Sequence, residues 1–286
     1  MIVIADKSLV AHHLDTVCPH PSGTPAANNT LESSSRRAPQ KLSGARDIGF
    51  FTHGRMKDRH LVFYKKRDGI SSTFKVLEPV YQKSSQSVAR NRFGMRKGTT
   101  EFFRDFDEFY IPSETYAINL FVSTLAIATA KGIEVMTLDK KLPLSIPDLK
   151  PPDCASIAQR LGGQKPLGMF RLSDSEFLLV FEEIGIYVNK HGDISRAVVM
   201  EFVGRAKQAC LVGGTYLILV DYGGGFVEVR NAVNGRLRQV VSGRDVRLLD
   251  DGGNGRGGTI KICMQHPEYE RCQIIVEMIP MEGVLE

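Results

Sequence analysis

The sequence has 286 residues, 42% of them hydrophobic, and a formal charge of +5 at neutral pH. That apolar content supports a sizeable core and excludes global disorder, and the mild basic excess lacks the strong clustered footprint of a nucleic-acid binder. No apolar run approaches the roughly 20 residues of a membrane helix, and the opening Met1–Ala5 is too short for a signal peptide. Five cysteines (Cys18, Cys154, Cys210, Cys263, Cys272) form no CxxC pair and leave an odd count. That usage suits reduced thiols, so a soluble cytoplasmic chain is expected.

Along the chain one unit recurs: a short apolar run, a tight turn, then a second alternating run. Met1–Ala5 with Ser8–Ala11 is the first copy. His60–Tyr64 with Thr73–Leu77, turning at Asp68-Gly69, is the second, and Leu125–Ala128 with Ile133–Met136, turning at Lys131-Gly132, the third. Phe177–Phe181 with Ile186–Val188 and Tyr216–Val220 with Phe226–Val229 follow, turning at Gly185 and at Gly223-Gly-Gly225. Thr259–Cys263 with Gln273–Val276 is the last. Each pair predicts a β-hairpin, because period-two alternation buries one face and Gly supplies a positive φ in the turn. The first member of each pair is almost wholly apolar, as expected of a strand covered on both faces. Between pairs, Tyr116–Phe121, Gly168–Leu172, Ala206–Val212 and Val246–Leu249 predict inner strands, and Ala197–Phe202 and Leu237–Val241 outer ones. Cys154–Leu161 is the one short helical candidate.

From the third pair onward the spacing is about forty residues, the period of four-stranded blades. A WD40-like, all-β propeller is therefore expected in preference to a β-sandwich. Residues 18–44, rich in Pro, Ser, Asn and Thr, and residues 83–98 are expected to be disordered insertions. The second carries Lys83, Arg90, Arg92, Arg96 and Lys97 with no acidic residue, and Ser84, Ser85 and Ser87 precede the cluster. Such a segment suits an acidic protein face or an anionic membrane surface, and phosphorylation would cancel much of its charge.

No pattern carries catalysis, a cofactor or a metal. Gly252–Gly258 lacks the strand–helix frame of a phosphate-cradling loop. The groups His12, His13, His20 with Cys18, and Cys263, His266 with Cys272, lack the spacing of a zinc site. Cys263 and Cys272, equidistant from Pro267-Glu268, are expected to face each other as two packed thiols. Asp105/Asp107 and Glu182/Glu183 are read as solvated strand ends rather than carboxylate dyads.

Several stretches carry a resemblance. Glu108-Phe-Tyr-Ile-Pro-Ser-Glu-Thr-Tyr-Ala-Ile-Asn119, Ala130-Lys-Gly-Ile-Glu-Val135 and Lys165-Pro-Leu-Gly-Met-Phe-Arg-Leu172 resemble the citron homology (CNH) domain. So do Tyr187-Val-Asn-Lys-His-Gly-Asp-Ile-Ser-Arg196 and Phe226-Val-Glu-Val-Arg230. Thr73–Val80 and Glu101–Pro112 look most like the version found in fungal Rho guanine-nucleotide exchange factors. The resemblance implies a seven-bladed propeller with a regulatory, protein-binding role beside a catalytic exchange module in the parent protein. The start falls inside an early blade, so an incomplete N-terminal blade is expected. The resemblance also implies a Rho-type small GTPase, or other signalling proteins, as partners, while the basic segment at residues 83–98 offers the alternative expectation of recruitment to the inner face of the plasma membrane. Basic candidates for such contacts are Lys65, Lys66, Arg90, Arg92, Arg96 and Lys97; Phe103, Arg104, Tyr110 and Glu114 border the distinctive Phe-Tyr-Ile-Pro block.

Overall fold

The computed structural model describes residues 1–13, 38–66, 69–80, 102–252 and 259–279. Contacts divide the chain into two compact units: Met1–His53 with Asp58–Pro112, and Gly54–Lys57 with Ser113–Glu286.

The first unit holds two antiparallel sheets. One has three strands, β1 (Ile2–Ala5), β2 (Ser8–Ala11) and β3 (Gln40–Arg46), in sequence order. The other is a meander of β4 (Ile48–Met56), β5 (Arg59–Lys66), β6 (Ser72–Pro79) and β7 (Phe103–Ile111). Leu9, Leu42, Ile48, Val62, Tyr64, Leu77 and Phe103 form the core between them. On β7 alternation places Phe109 and Ile111 inward and Tyr110 outward. Phe74 and Phe109 stack with ring centroids 5.0 Å apart, an offset arrangement that adds to simple burial.

The second unit repeats the meander four times. The first sheet is β8 (Thr115–Leu120), β9 (Leu125–Thr129), β10 (Gly132–Met136) and β11 (Leu144–Ile146). A 3₁₀ turn (Pro152–Cys154) and helix α1 (Ala155–Leu161) lead to β12 (Pro166–Arg171), β13 (Glu176–Phe181), β14 (Ile184–Asn189) and β15 (Met200–Glu201). Next come β16 (Ala206–Val212), β17 (Tyr216–Asp221), β18 (Phe226–Asn231) and β19 (Leu237–Ser242). The last sheet has three strands, β20 (Arg247–Asp250), β21 (Ile260–Gln265) and β22 (Gln273–Met278).

The reason for the unbroken apolar runs is visible in β13. Leu179 and Phe181 pack with Ala126, Ile133 and Met169 on one side, while Leu178 and Val180 pack with Leu217 and Leu219 on the other. A strand whose two faces both meet neighbouring sheets has no use for polar alternation. Helix α1 contributes Ile157 and Leu161, spaced i and i+4, to the first of these cores. The outermost strand β19 is almost wholly exposed, and its sequence is correspondingly mixed.

All six expected hairpins form, as do the inner strands and α1, but the fourth turns at Glu182-Glu183 rather than at Gly185, which pairs with Val180 inside β14. The described residues make six sheets against the seven blades the resemblance implies, two of them with three strands only. Residues 14–37 and 81–101, which hold most of the first expected insertion and all of the second, lie outside the described residues. The end of the first insertion is ordered as β3, whose Gln40 pairs with Ala11. Cys263 and Cys272 do not face each other. The β21–β22 register sets Cys263 against Ile275, three residues from the expected partner, leaving Cys263 buried and Cys272 exposed.

Candidate functional site

The residues singled out from sequence do not form one patch. Arg90, Arg92, Arg96 and Lys97 lie outside the described residues. Lys65 and Phe103 are buried, because β5 and β7 turn them towards the interior, so an intact sheet withholds both from a partner. Lys66 is half-buried. Tyr110 is 60% exposed and Glu114 is exposed. Arg104 joins Arg59 in holding the Glu78 carboxylate, and Arg59 also lies over the Phe106 ring at 5.4 Å. Burial raises the Glu78 carboxyl, but hydrogen bonds from Arg104 and Arg59 override it and leave it below the ordinary carboxylate range.

Glu114 belongs to a more developed site in the second unit. Strand β8 begins beside it, and the Ala130 N–H donates to the Glu114 carbonyl at 2.9 Å, tying the β9–β10 turn to the start of β8. Burial first, then the negative charge of Glu114, hold the hydroxyl of Tyr116, two residues on, above its ordinary value. The Lys165 ammonium sits 4.0 Å from the centre of the Tyr116 ring, a cation–π contact. Tyr116 and Lys165 border a depression of about 380 Å³, within the size range of ligand pockets. Lys131, Ser145, Gly162, Gly163 and Gln164 supply its polar lining. Pro147, Leu149, Leu161, Pro166 and Phe181 supply its apolar lining.

Beside it lies an ion pair between a buried carboxylate, Glu182, and an exposed arginine, Arg205. The Glu182 carboxylate accepts Arg205 through both oxygens, at 2.9 and 2.8 Å, and also the Lys165 N–H at 3.3 Å. The reading of Glu182 as a solvated strand end is thus corrected. The two-residue β13–β14 turn points Glu182 inward to the next sheet and leaves only Glu183 exposed. Arg205 in turn lies over Tyr222 at 4.7 Å.

A second depression, of about 250 Å³, lies where β8 ends. Phe121, Val122, Leu144, Met169 and Phe177 line it, with Arg171 paired to Asp174 on its rim. Nearby, Glu176 receives Arg196 and the Ser195 hydroxyl, and Arg196 stacks over Tyr187 at 4.0 Å. Tyr187 donates to the Ala232 carbonyl of the next sheet at 3.0 Å. Neither Lys131, Lys165 nor this network was singled out from sequence. The usable signal for the two lysines was there, since both fall inside stretches that carry the family resemblance. Among the described residues no group of three His, Cys, Asp or Glu side chains is placed to hold a metal ion. No helix among them is long and apolar enough to cross a membrane.

Comparison with known proteins agrees with this architecture. Residues 1–252 match the CNH domain model. The chain is 24% identical over 295 residues to Rho1 guanine nucleotide exchange factor 3 of Schizosaccharomyces pombe, covering 97% of this chain and 21% of that protein. It is 29% identical over 273 residues to Rho1 guanine nucleotide exchange factor 1 of the same organism, covering 91% of this chain and 18% of that protein. It therefore spans about a fifth of the length of these relatives. Among solved structures, the AfRom2 CNH domain superposes with a TM-score of 0.72 at 23% identity, over 98% of this chain and 77% of that one. That likeness shows a β-propeller fold, and the described residues supply six of its blades.

Proposed function

The chain belongs to the CNH domain family, and from that premise we propose that it is a non-catalytic, cytoplasmic docking domain of a Rho guanine-nucleotide exchange factor. It binds a Rho-type small GTPase, or a protein that brings one, while the exchange reaction belongs to other parts of the parent protein. The observation that carries this reading is the match along nearly the whole chain to proteins named as Rho1 exchange factors, of which it spans only a fifth. The surface supports it. On the first unit Arg104 and Tyr110 stand exposed outside the core, and Arg and Tyr are residue types that anchor protein contacts.

The experiment is calorimetric titration of the chain with a purified Rho-type GTPase, in GDP and GTP-analogue forms, at low and physiological salt. Saturable binding in one nucleotide state, weakened by salt, is the expected result. Replacing Lys83, Arg90, Arg92, Arg96 and Lys97 together by Ala, or Arg104 and Tyr110 by Ala, then assigns the surface. Absence of heat in both nucleotide states, from folded material, sinks direct GTPase recognition.

A further inference from the structure

Among the described residues the last strand of each sheet has one unpaired edge, and all but one of these edges are guarded against pairing with another chain. β11 and β15 are only three and two residues long. β3, β7 and β19 each carry an extra residue against the neighbouring strand, an irregularity that bends an edge away from a partner. β22 has neither device. It runs in unbroken register with β21 from Gln273 to Met278. The stretch Gln273–Ile279 holds Ile274, Ile275, Val276, Met278 and Ile279, with no lysine, arginine or proline to discourage pairing. Ile275 is 66% exposed.

The ladder also fixes which backbone groups are available. The His266 N–H donates to the Cys272 carbonyl at 2.8 Å. Antiparallel alternation then turns the N–H and C=O of Ile274, Val276 and Met278 towards β21, and those of Gln273, Ile275 and Glu277 away from it. The side chains of the same three residues are the exposed ones of the strand.

We propose that β22 pairs with β22 of a second copy of this chain, antiparallel about a two-fold axis between the two Ile275 residues, so that two three-stranded sheets become one. In that register every outward-facing residue meets another: Ile275 meets its own copy, and Gln273 meets Glu277 of the second copy. The side chains are self-complementary as well. The Gln273 oxygen already accepts Arg247 at 2.7 Å and the Cys263 thiol at 3.5 Å, which leaves its amide N–H groups to donate. Glu277 accepts the Thr259 hydroxyl through Oε1, and its Oε2 has no partner among the described residues. The two Glu277 side chains stand four residues apart along the pair, roughly 13 Å, beyond the screening length of physiological salt. On the other face Ile274 meets Val276. This self-association is independent of the docking reading above.

The test is sedimentation equilibrium of the full chain across the micromolar range, which should show a reversible monomer–dimer equilibrium. Ile275→Lys sets like charges opposite each other at the centre and should leave a monomer at every concentration, while Ile275→Val should keep the dimer. Circular dichroism checks that each variant is folded. In a Cys18→Ser, Cys272→Ser background, mild oxidation should crosslink Ile275→Cys to itself, because a hydrogen-bonded pair sets its Cα atoms about 5.5 Å apart, within disulfide reach. Gln273→Cys and Glu277→Cys should each crosslink poorly alone and efficiently when mixed. A chain that stays monomeric throughout overturns the proposal, as does a dimer that survives Ile275→Lys. Crosslinking of Gln273→Cys or Glu277→Cys to itself as readily as in the mixture also overturns it, because the register would then be wrong.

Discussion

At the scale of single residues, buried and half-buried carboxylates with arginine partners join neighbouring strands and sheets. Glu176 is the clearest for titration. Hydrogen bonds from Arg196 lower its pKa most, burial opposes them, and the Ser195 hydroxyl adds to the lowering. A carboxyl whose folded pKa lies below its unfolded value of about 4.3 contributes stability that is complete above that pH. The contribution is lost as pH falls through the folded value. Glu176→Gln should therefore lower the melting temperature at pH 7, and the gap from the parent protein should close as the pH is stepped down through the carboxylate range. A gap that stays constant into acid would mean the pair contributes nothing through ionisation. Thiol reactivity is the second residue-level prediction. Cys272 is exposed, Cys154, Cys210 and Cys263 are buried, and burial pushes the Cys210 thiol further up. In a Cys18→Ser background a disulfide reagent should react quickly at Cys272 and slowly at the other three.

Between elements, adjacent sheets are joined by single side chains reaching from one inner strand to the backbone of the next. Asn119 on β8 accepts the Met169 N–H of β12 at 2.9 Å, and Gln208 on β16 accepts the Leu248 N–H of β20 at 3.1 Å. The first link depends on a glycine. A Cβ at Gly168 would stand 2.7 Å from the Asn119 side-chain oxygen and 3.2 Å from the Phe170 ring. Gly168→Ala must therefore displace Asn119 or the strand, a packing conflict that typically costs about 1–3 kcal/mol. Asn119→Ala leaves the Met169 N–H without its acceptor and should cost about 1–3 kcal/mol if no water replaces it. Denaturant titration checks both. Because the two changes damage one link, the double variant should cost less than the sum, whereas simple additivity would separate Gly168 from the Asn119 bond.

For the molecule as a whole, the long connections close on strand pairs that are already in register. Ala11 pairs with Gln40 across residues 12–39, and Pro79 pairs with Phe103 across residues 80–102. Loop-closure cost grows only logarithmically, about 0.6 kcal/mol per doubling of length. Replacing residues 14–37, or residues 81–101, by a short Gly-Ser linker should therefore preserve the far-ultraviolet circular dichroism and leave the melting temperature unchanged or slightly raised. The second replacement removes the basic cluster while keeping the sheets. It therefore isolates the role of those charges in GTPase or membrane binding from any loss of fold. A large drop in melting temperature would show that these segments stabilise the sheets directly.

The sequence by itself determined the hairpins, because a strand covered on both faces must be apolar throughout and a tight turn needs Gly or a polar residue. Leu178–Phe181 and Leu217–Val220 could be read as central strands for that reason alone. The family was legible too, through the stretches around Tyr110–Asn119 and Lys165–Leu172. The site was only partly legible. Glu114 was recognised from its motif, but Lys131 and Lys165 acquire meaning only when the β9–β10 turn and the segment after α1 border the same depression. Glu182 looked like any acidic residue in a turn until the next sheet brought Arg205 to it. The β21–β22 register likewise parted Cys263 from Cys272, against the symmetry of their spacing. Periodicity records which face of a strand is covered, whereas charge pairing and pocket lining depend on residues distant in the chain, which only the packing of sheet against sheet brings together.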